Sequence, residues 1–512
     1  MSKVDELYRE SEETDSYSKL ERAMELAALT TLPKTTRPQP GWFSSNQVRL
    51  NSLIEERNAA VALKIRKPTR STVQRLRKVR KELKAEIARS KNNWVLNICR
   101  DINNPTPTGK ICWDKVKLLR KGLDKPKISS EKMMKKSDGS KCVSAEENAE
   151  VFREHFQKLY EREPMYDPTV IELLEKQPVI EGLDHFPTDT EIIKATQSLK
   201  NNAPGESGLT PLMFKSLITC PETFAIVKGV VIDFWNSEKT PKQWNLGLLK
   251  VLPKKGDLSL PGNYRGIMLL EIAYNIIAKI VHQRLTTISE SLDHETQCGF
   301  RPGRGCTDAI FTVKIALKKR REHNQQTWVL FLDLVKAFDR VPRDLLWLVL
   351  ERFGVPSKLL RIIKALHHTI NVKFTIDSVS HILDCKIGVK QGDVLGPILF
   401  SIYIAAIMIT WRQTRNHPQC LFRTKDDFVL TGRKPNAKGE HFVFGDSEYA
   451  DDTAILFDSR ESVVTDAPGI NNHFERFGME VHAGNRVRGD KQKYCLTRVI
   501  THHSLLNLIA RK

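Results

Sequence analysis

Residues 447–457 read Ser-Glu-Tyr-Ala-Asp-Asp-Thr-Ala-Ile-Leu-Phe. Ser447 to Ala450 and Thr453 to Phe457 have the composition of two short strands, and Asp451-Asp452 between them suits a two-residue turn. Two adjacent carboxylates repel each other, and Asp pairs commonly occupy ordinary solvated turns, as Asp426-Asp427 is expected to do. What sets Asp451-Asp452 apart lies upstream. Thr327 to Leu332 (TWVLFL) is a β-branched, aromatic and aliphatic run, the pattern of a strand covered on both faces, and it ends in Asp333. A helix entered at Pro342 follows. An aspartate at the end of such a strand is costly to bury without a cation or several hydrogen bonds.

Carboxylate oxygens suit Mg²⁺, a hard cation. Three aspartates from a strand end and a hairpin turn would form a cradle for two such ions, the arrangement that neutralises attacking and leaving oxygens in phosphoryl transfer. Spacing alone leaves open whether positions so far apart in the chain meet.

Working outward, the chain has 81 Lys and Arg against 61 Asp and Glu, a formal net charge of +20 over 512 residues. Such an excess favours phosphate-rich partners. It is concentrated in residues 61–140, which hold 23 Lys and Arg against 7 Asp and Glu. There Val73, Leu76, Val79, Leu83 and Ile87 recur at helical intervals, leaving Arg75, Arg77, Lys78, Lys81 and Lys84 for phosphates or simply for water. Trp94 and Trp113 read as structural tryptophans, with stacking on bases as the alternative. The nine cysteines form no CxxC pair and no Cys/His cluster of zinc spacing, which suits reduced thiols and predicts no zinc site. The N-terminus has no secretory signal, and Gly396 to Trp411 is too short to span a bilayer, so it reads as a buried core helix. No membrane partner is expected, and the location is nucleus or cytoplasm.

From about Pro187 to Phe457 the chain resembles the reverse transcriptases of non-LTR (LINE-like) retrotransposons, block after block in family order. APGESGLTPLMFK is similar to the loop before the fingers, and VLPKKGD and NYRGIMLL to the first fingers blocks. QCGFRPGRGCTDAI follows, then FLDLVKAFDRVP with the first aspartate, GVKQGDVLGPILFSIYI, and EYADDTAILF with the doublet. The resemblance implies an α/β (α+β) right-hand polymerase with fingers and a mixed palm sheet, preceded by a basic helical extension. It also implies RNA-directed DNA synthesis with two Mg²⁺ ions, Mn²⁺ substituting, on an RNA template with a DNA primer or target and dNTPs.

Residue by residue, the resemblance makes Asp333 and Asp451 ligands of both metals and Asp452 the third member of the cluster. Tyr449 would support the primer end. Phe338 would be a steric gate against a ribose 2′-hydroxyl, the alternative being a core phenylalanine. Gln391 and Gly392 would approach the incoming base and sugar, glycine permitting close backbone contact. Arg265 and Lys254 would hold the triphosphate. Arg301 and Arg304 would contact template backbone. Gly266 stands where many members have proline, and Lys390 where many have arginine. After FERFGMEVH the expected lysine block and thumb are replaced by AGNRVRGDKQKYCLTRVITHHSLLNLIARK, in which Lys491 or Lys493 would stand in for the lysine.

The expected organisation is a linker-like segment over 1–45, a basic helical extension over 46–180, fingers and palm over 181–495, and an atypical tail over 496–512 with the thumb missing. No endonuclease is expected. The rival reading is a truncated or inactive retroelement product that binds nucleic acid without polymerising.

Overall fold

The N-terminal segment, expected as a linker, is helical in the computed structural model: α1 spans Ser2–Arg9 and α2 spans Ser16–Thr31. Tyr17, Leu20, Met24 and Ala27 recur three and four residues apart, so one face of α2 is apolar, and all four are buried in the main core. The Tyr17 hydroxyl donates to Glu271 (3.1 Å), and Gln243 Nε2 donates to the Ser18 hydroxyl (2.9 Å). The prolines that suggested a linker, at 33, 38 and 40, lie outside the described residues. These are 2–31, 41–103, 113–119, 133–254, 256–292, 295–368, 371–415, 420–423, 441–482 and 497–498. Asp426, Asp427, Lys491 and Lys493 also lie outside them, as do residues 499–512.

Two compact units emerge, Thr31–Lys132 and the rest of the chain. In the smaller, α3 (Gln47–Arg66) and α4 (Arg70–Asn103) form a hairpin. The expected stripe on α4 is its inner face: Leu76, Val79 and Leu83 are buried, and Leu83 joins Leu50 and Leu53 with Ile87 packed against them. Arg75, Arg77, Lys78, Lys81 and Lys84 are all exposed. Trp113 is 65% exposed, so it is not the buried tryptophan expected.

In the larger unit α5 (Ala145–Tyr160) begins at a Ser144 cap whose side chain accepts from Glu147 N, and sends Phe152, Phe156 and Tyr160 into the main core. Four strands, β1 (Leu246–Pro253), β2 (Tyr264–Leu269), β4 (Asn371–Ile376) and β5 (Val379–Asp384), order as β2-β1-β4-β5, with β1 and β4 parallel. A second sheet orders as β10-β3-β9-β8, built from β3 (Trp328–Leu332), β8 (Asp446–Tyr449), β9 (Asp452–Phe457) and β10 (Thr497–Arg498). Its ladders are antiparallel, and a parallel bridge from Gln297 to Glu448 extends its β8 edge. α6 (Ile272–Ser291), α8 (Arg343–Arg352) and α9 (Gly396–Thr414) share the main core with strands of both sheets; α7 (Cys306–Glu322) packs near β8. Fourteen residues of α9 are buried, as expected of a core helix, and among the described residues no helix is long and apolar enough to cross a membrane.

Candidate active site

β3 pairs with β9 so that Leu332 faces Thr453. Asp333 and Asp452 are the next residues on the two strands, just beyond this last pair of the ladder. β8 pairs with β9 through Tyr449 and Asp452, so the turn residues are Ala450 and Asp451 rather than the Asp451-Asp452 pair expected from sequence. The offset arises because Tyr449 pairs with Asp452, which draws the second aspartate into the β8–β9 ladder. Ala450 takes up the reversal in a left-handed conformation (φ 58°), which costs a residue bearing a Cβ about 1–2 kcal/mol. Backbone of positions 333, 451 and 452 thus meets at one edge of the sheet. Beyond β3 the chain is fastened to residues 480–482, with His482 N donating to the Asp333 carbonyl (2.8 Å) and Val335 N to that of Glu480 (2.9 Å).

Two side chains that sequence reasoning missed secure the hairpin. Gln297 is 1% exposed, and its Oε1 accepts from both Gly299 N (2.7 Å) and Ala450 N (2.9 Å). Gly299 is required there, since a Cβ would stand 2.3 Å from Ala450 N. Arg412, near the C-terminal end of α9, donates to both carboxylate oxygens of Asp446 (3.1 and 2.5 Å), to Glu448 (3.2 Å) and to the Thr296 hydroxyl (2.8 Å). Burial raises the Asp446 carboxyl, but the guanidinium outweighs it and holds the group below its ordinary value. The available signals were the glutamine opening QCGF and an arginine ending an otherwise apolar helix.

Lys254 and Arg265 are exposed at the end of the β1–β2 hairpin, where Leu252 pairs with Arg265. Both lie within electrostatic reach of Asp339, together with Lys336. Burial pushes the Asp339 carboxyl up to about 6 against the pull of these cations. The Lys336 ammonium stands 3.2 Å from His155 Nε2, and burial and then Lys336 and Lys254 push that imidazole down to about 4. The predicted phosphate-binding pair is therefore joined by a third cation, Lys336, which LVKAFDR carries and sequence reasoning passed over. Because the folded state raises the Asp339 pKa, its stability contribution is intact below about 3.8 and is lost as pH rises through about 6. Relative to Asp339→Asn, the unsubstituted chain is expected to lose about 2 kcal/mol between pH 4 and pH 7 in denaturant titrations. A pH-independent difference would refute this.

Phe338 stacks on the fully buried Phe400 (centroids 4.5 Å, 18°) and meets Phe300 edge-on (5.9 Å, 87°), so its ring is braced from two sides. Gly392 has φ 109°, and a Cβ there would lie 2.5 Å from the Met268 carbonyl; Met268 N donates to the Gln391 carbonyl (2.7 Å). The close approach this glycine permits in the structure is thus that of β2. Lys390 is fully buried, donating to the Tyr274 hydroxyl (3.0 Å) and the Leu366 carbonyl (2.6 Å), and burial pushes its ammonium down to about 8. Arg301 and Arg304 both pair with Glu295, at 3.5 and 2.9 Å. Tyr449 is 37% exposed at the end of β8.

Among the described residues no group of three or more His, Cys, Asp or Glu side chains stands ready-made around a metal position. The donor chemistry at 333, 451 and 452 is nevertheless all carboxylate oxygen, the set that fits Mg²⁺.

Residues 252–484 match the family described as reverse transcriptase (RNA-dependent DNA polymerase). The chain carries a reverse transcriptase domain. A 149 kDa protein of transposon TX1 from Xenopus laevis is 27% identical over 327 residues, 62% of this chain and 24% of that one. The Pol polyprotein of a type-1 R2 retrotransposable element from Popillia japonica is 24% identical over 302 residues, 58% and 38% of the two chains. The probable RNA-directed DNA polymerase of the Drosophila melanogaster X-element is 27% identical over 210 residues, 40% and 22%. These relatives belong to non-LTR retrotransposons, and the alignments span well under half of each. A truncated apo telomerase from Candida tropicalis aligns over 56% of this chain and 67% of its own, with 12% identity and a TM-score of 0.33. The matched residues take in the end of β1 and all of β2, β3, β4, β5, β8 and β9.

Proposed function

We propose that this chain is an RNA-directed DNA polymerase of a non-LTR retrotransposon, extending a DNA primer on an RNA template. The observation that supports the reading is the β3–β9–β8 ladder, in which Asp333 and Asp452 follow directly on the last β3–β9 pair and Asp451 lies in the adjoining turn. Asp333, Asp451 and Asp452 hold the divalent ions, Mg²⁺ or Mn²⁺ in its place. Two such ions, when bound, neutralise charge on the attacking and leaving oxygens.

The remaining residues bind and orient. Lys254 and Arg265, with Lys336 behind them, form a cationic wall for the triphosphate of the incoming nucleotide, arginine through a fork and lysine as point charges. Gln391 and Gly392 face the base and sugar. Tyr449, exposed beside the turn, supports the primer end, and Arg301 and Arg304 exchange Glu295 for template phosphates. The exposed basic face of α4 adds sequence-independent nucleic-acid contact. The protein acts in the nucleus or cytoplasm, wherever its RNA template and DNA target meet.

The test is extension of an annealed DNA primer on RNA with dNTPs and Mg²⁺. Binding of primer–template with no extension under Mg²⁺ or Mn²⁺ would favour a non-polymerising retroelement product instead. Phe338 supplies a second measurement. Its braced ring leaves little room for a 2′-hydroxyl, so Phe338→Ala is expected to raise ribonucleotide relative to deoxynucleotide incorporation by about 10- to 100-fold, about 1.4–3 kcal/mol. Unchanged discrimination in a folded variant would remove the gate role.

A further inference from the structure

We infer that Gln297 is a positioning residue for the metal-binding turn, fixing through its side-chain amide the backbone from which Asp451 projects. The inference rests on the polymerase reading above and names a residue that this reading does not use. Gln297 lies beside β8, paired to Glu448 by a parallel bridge, with Glu448 N donating to the Thr296 carbonyl (2.9 Å) and Cys298 N to that of Glu448 (2.8 Å). Its side chain then reaches past the end of the strand. Oε1 accepts from Ala450 N (2.9 Å), and Nε2 lies 3.4 Å from the Ala450 carbonyl oxygen and 3.5 Å from Glu448 Oε2.

One amide therefore addresses both peptide groups flanking the Ala450 Cα, and these groups define its φ and ψ. The second of them is the peptide that begins Asp451. Ala450 sits in a left-handed conformation that an alanine leaves readily when nothing holds it. Gly299 N, donating to the same Oε1 (2.7 Å), holds the amide in place, and the absence of a Cβ at Gly299 lets the two backbones close up. The sheet register brings the hairpin to the palm edge, whereas this amide selects the rotation of its last peptide and thereby the direction in which the Asp451 carboxylate leaves the chain.

The decisive variant is Gln297→Met, nearly isosteric and without the amide. It is expected to lower kcat for primer extension by about 10- to 100-fold, to leave KM for dNTP within about threefold, and to raise the Mg²⁺ concentration giving half-maximal rate. In the nucleic-acid-free, metal-free chain, amide hydrogen exchange of the peptide spanning residues 447–453 is expected to accelerate about tenfold or more. Adding Ala450→Gly to Gln297→Met should restore at least a fifth of the parental kcat, because glycine holds the left-handed conformation without help. A role in packing alone predicts no such rescue.

Unchanged kcat and unchanged exchange in folded Gln297→Met would overturn the inference, and so would a loss confined to KM. Should Gln297→Met fail to fold, Gln297→Asn withdraws the amide by one methylene and carries the same expectations. If the parent chain extends no primer, the polymerase reading fails on that result, while the exchange measurement still decides whether Gln297 clamps the turn.

Discussion

Asp451→Ala is expected to reduce primer extension by at least about 1000-fold, about 4 kcal/mol of barrier, while the melting temperature stays within a few degrees of the parent. Asp451 occupies the second position of a two-residue turn, outside the β8–β9 ladder, and is partly exposed. On the proposed reading its carboxylate is one of three metal ligands, and removing it takes away a shared ligand where charge on the reacting phosphate must be balanced. Extension kinetics on a defined RNA–DNA hybrid read the effect. Robust extension by the folded variant would refute the metal assignment and with it the proposed chemistry.

Arg412→Met is expected to destabilise the fold by about 3–5 kcal/mol, read from the denaturant midpoint. Arg412 is the guanidinium between Asp446, 3% exposed at its side chain, and Glu448, 0% exposed, and it also reaches Thr296. Taking away one partner of a buried ionic cluster leaves carboxylates without compensation, which costs far more than the attraction itself is worth. Adding Asp446→Asn to the same chain should recover part of the loss, because it removes one stranded charge. A midpoint that does not move would mean that solvent replaces the guanidinium at no cost.

What the sequence revealed follows from how local each signal is. The β3 run before Asp333, the α9 core helix and the α4 stripe depend on periodicity within one element, and each stands where periodicity put it. The helix α2 was missed because its four apolar residues are spaced among charges of both signs, and its partners Glu271 and Gln243 are more than 200 residues away. The turn was placed one residue late because the doublet reads as its two central residues, whereas pairing of Tyr449 with Asp452 puts the second aspartate in the ladder. Alanine carries no mark of a left-handed conformation, so Ala450 gave no warning. Gly392 was legible as a site of close approach, yet the partner that fills the space, Met268, belongs to a strand no local pattern connects to it. Gln297 and Arg412 act across long separations, and single side chains of that kind have no periodic signature.

The Tyr17–Glu271 contact has a bearing on how the protein is made. During synthesis Tyr17 leaves the ribosome 254 residues ahead of its carboxylate partner, which at about 5–20 residues per second is a wait of about 10 to 50 s. Throughout that interval the apolar side of α2 lacks the full set of partners it has in the finished fold.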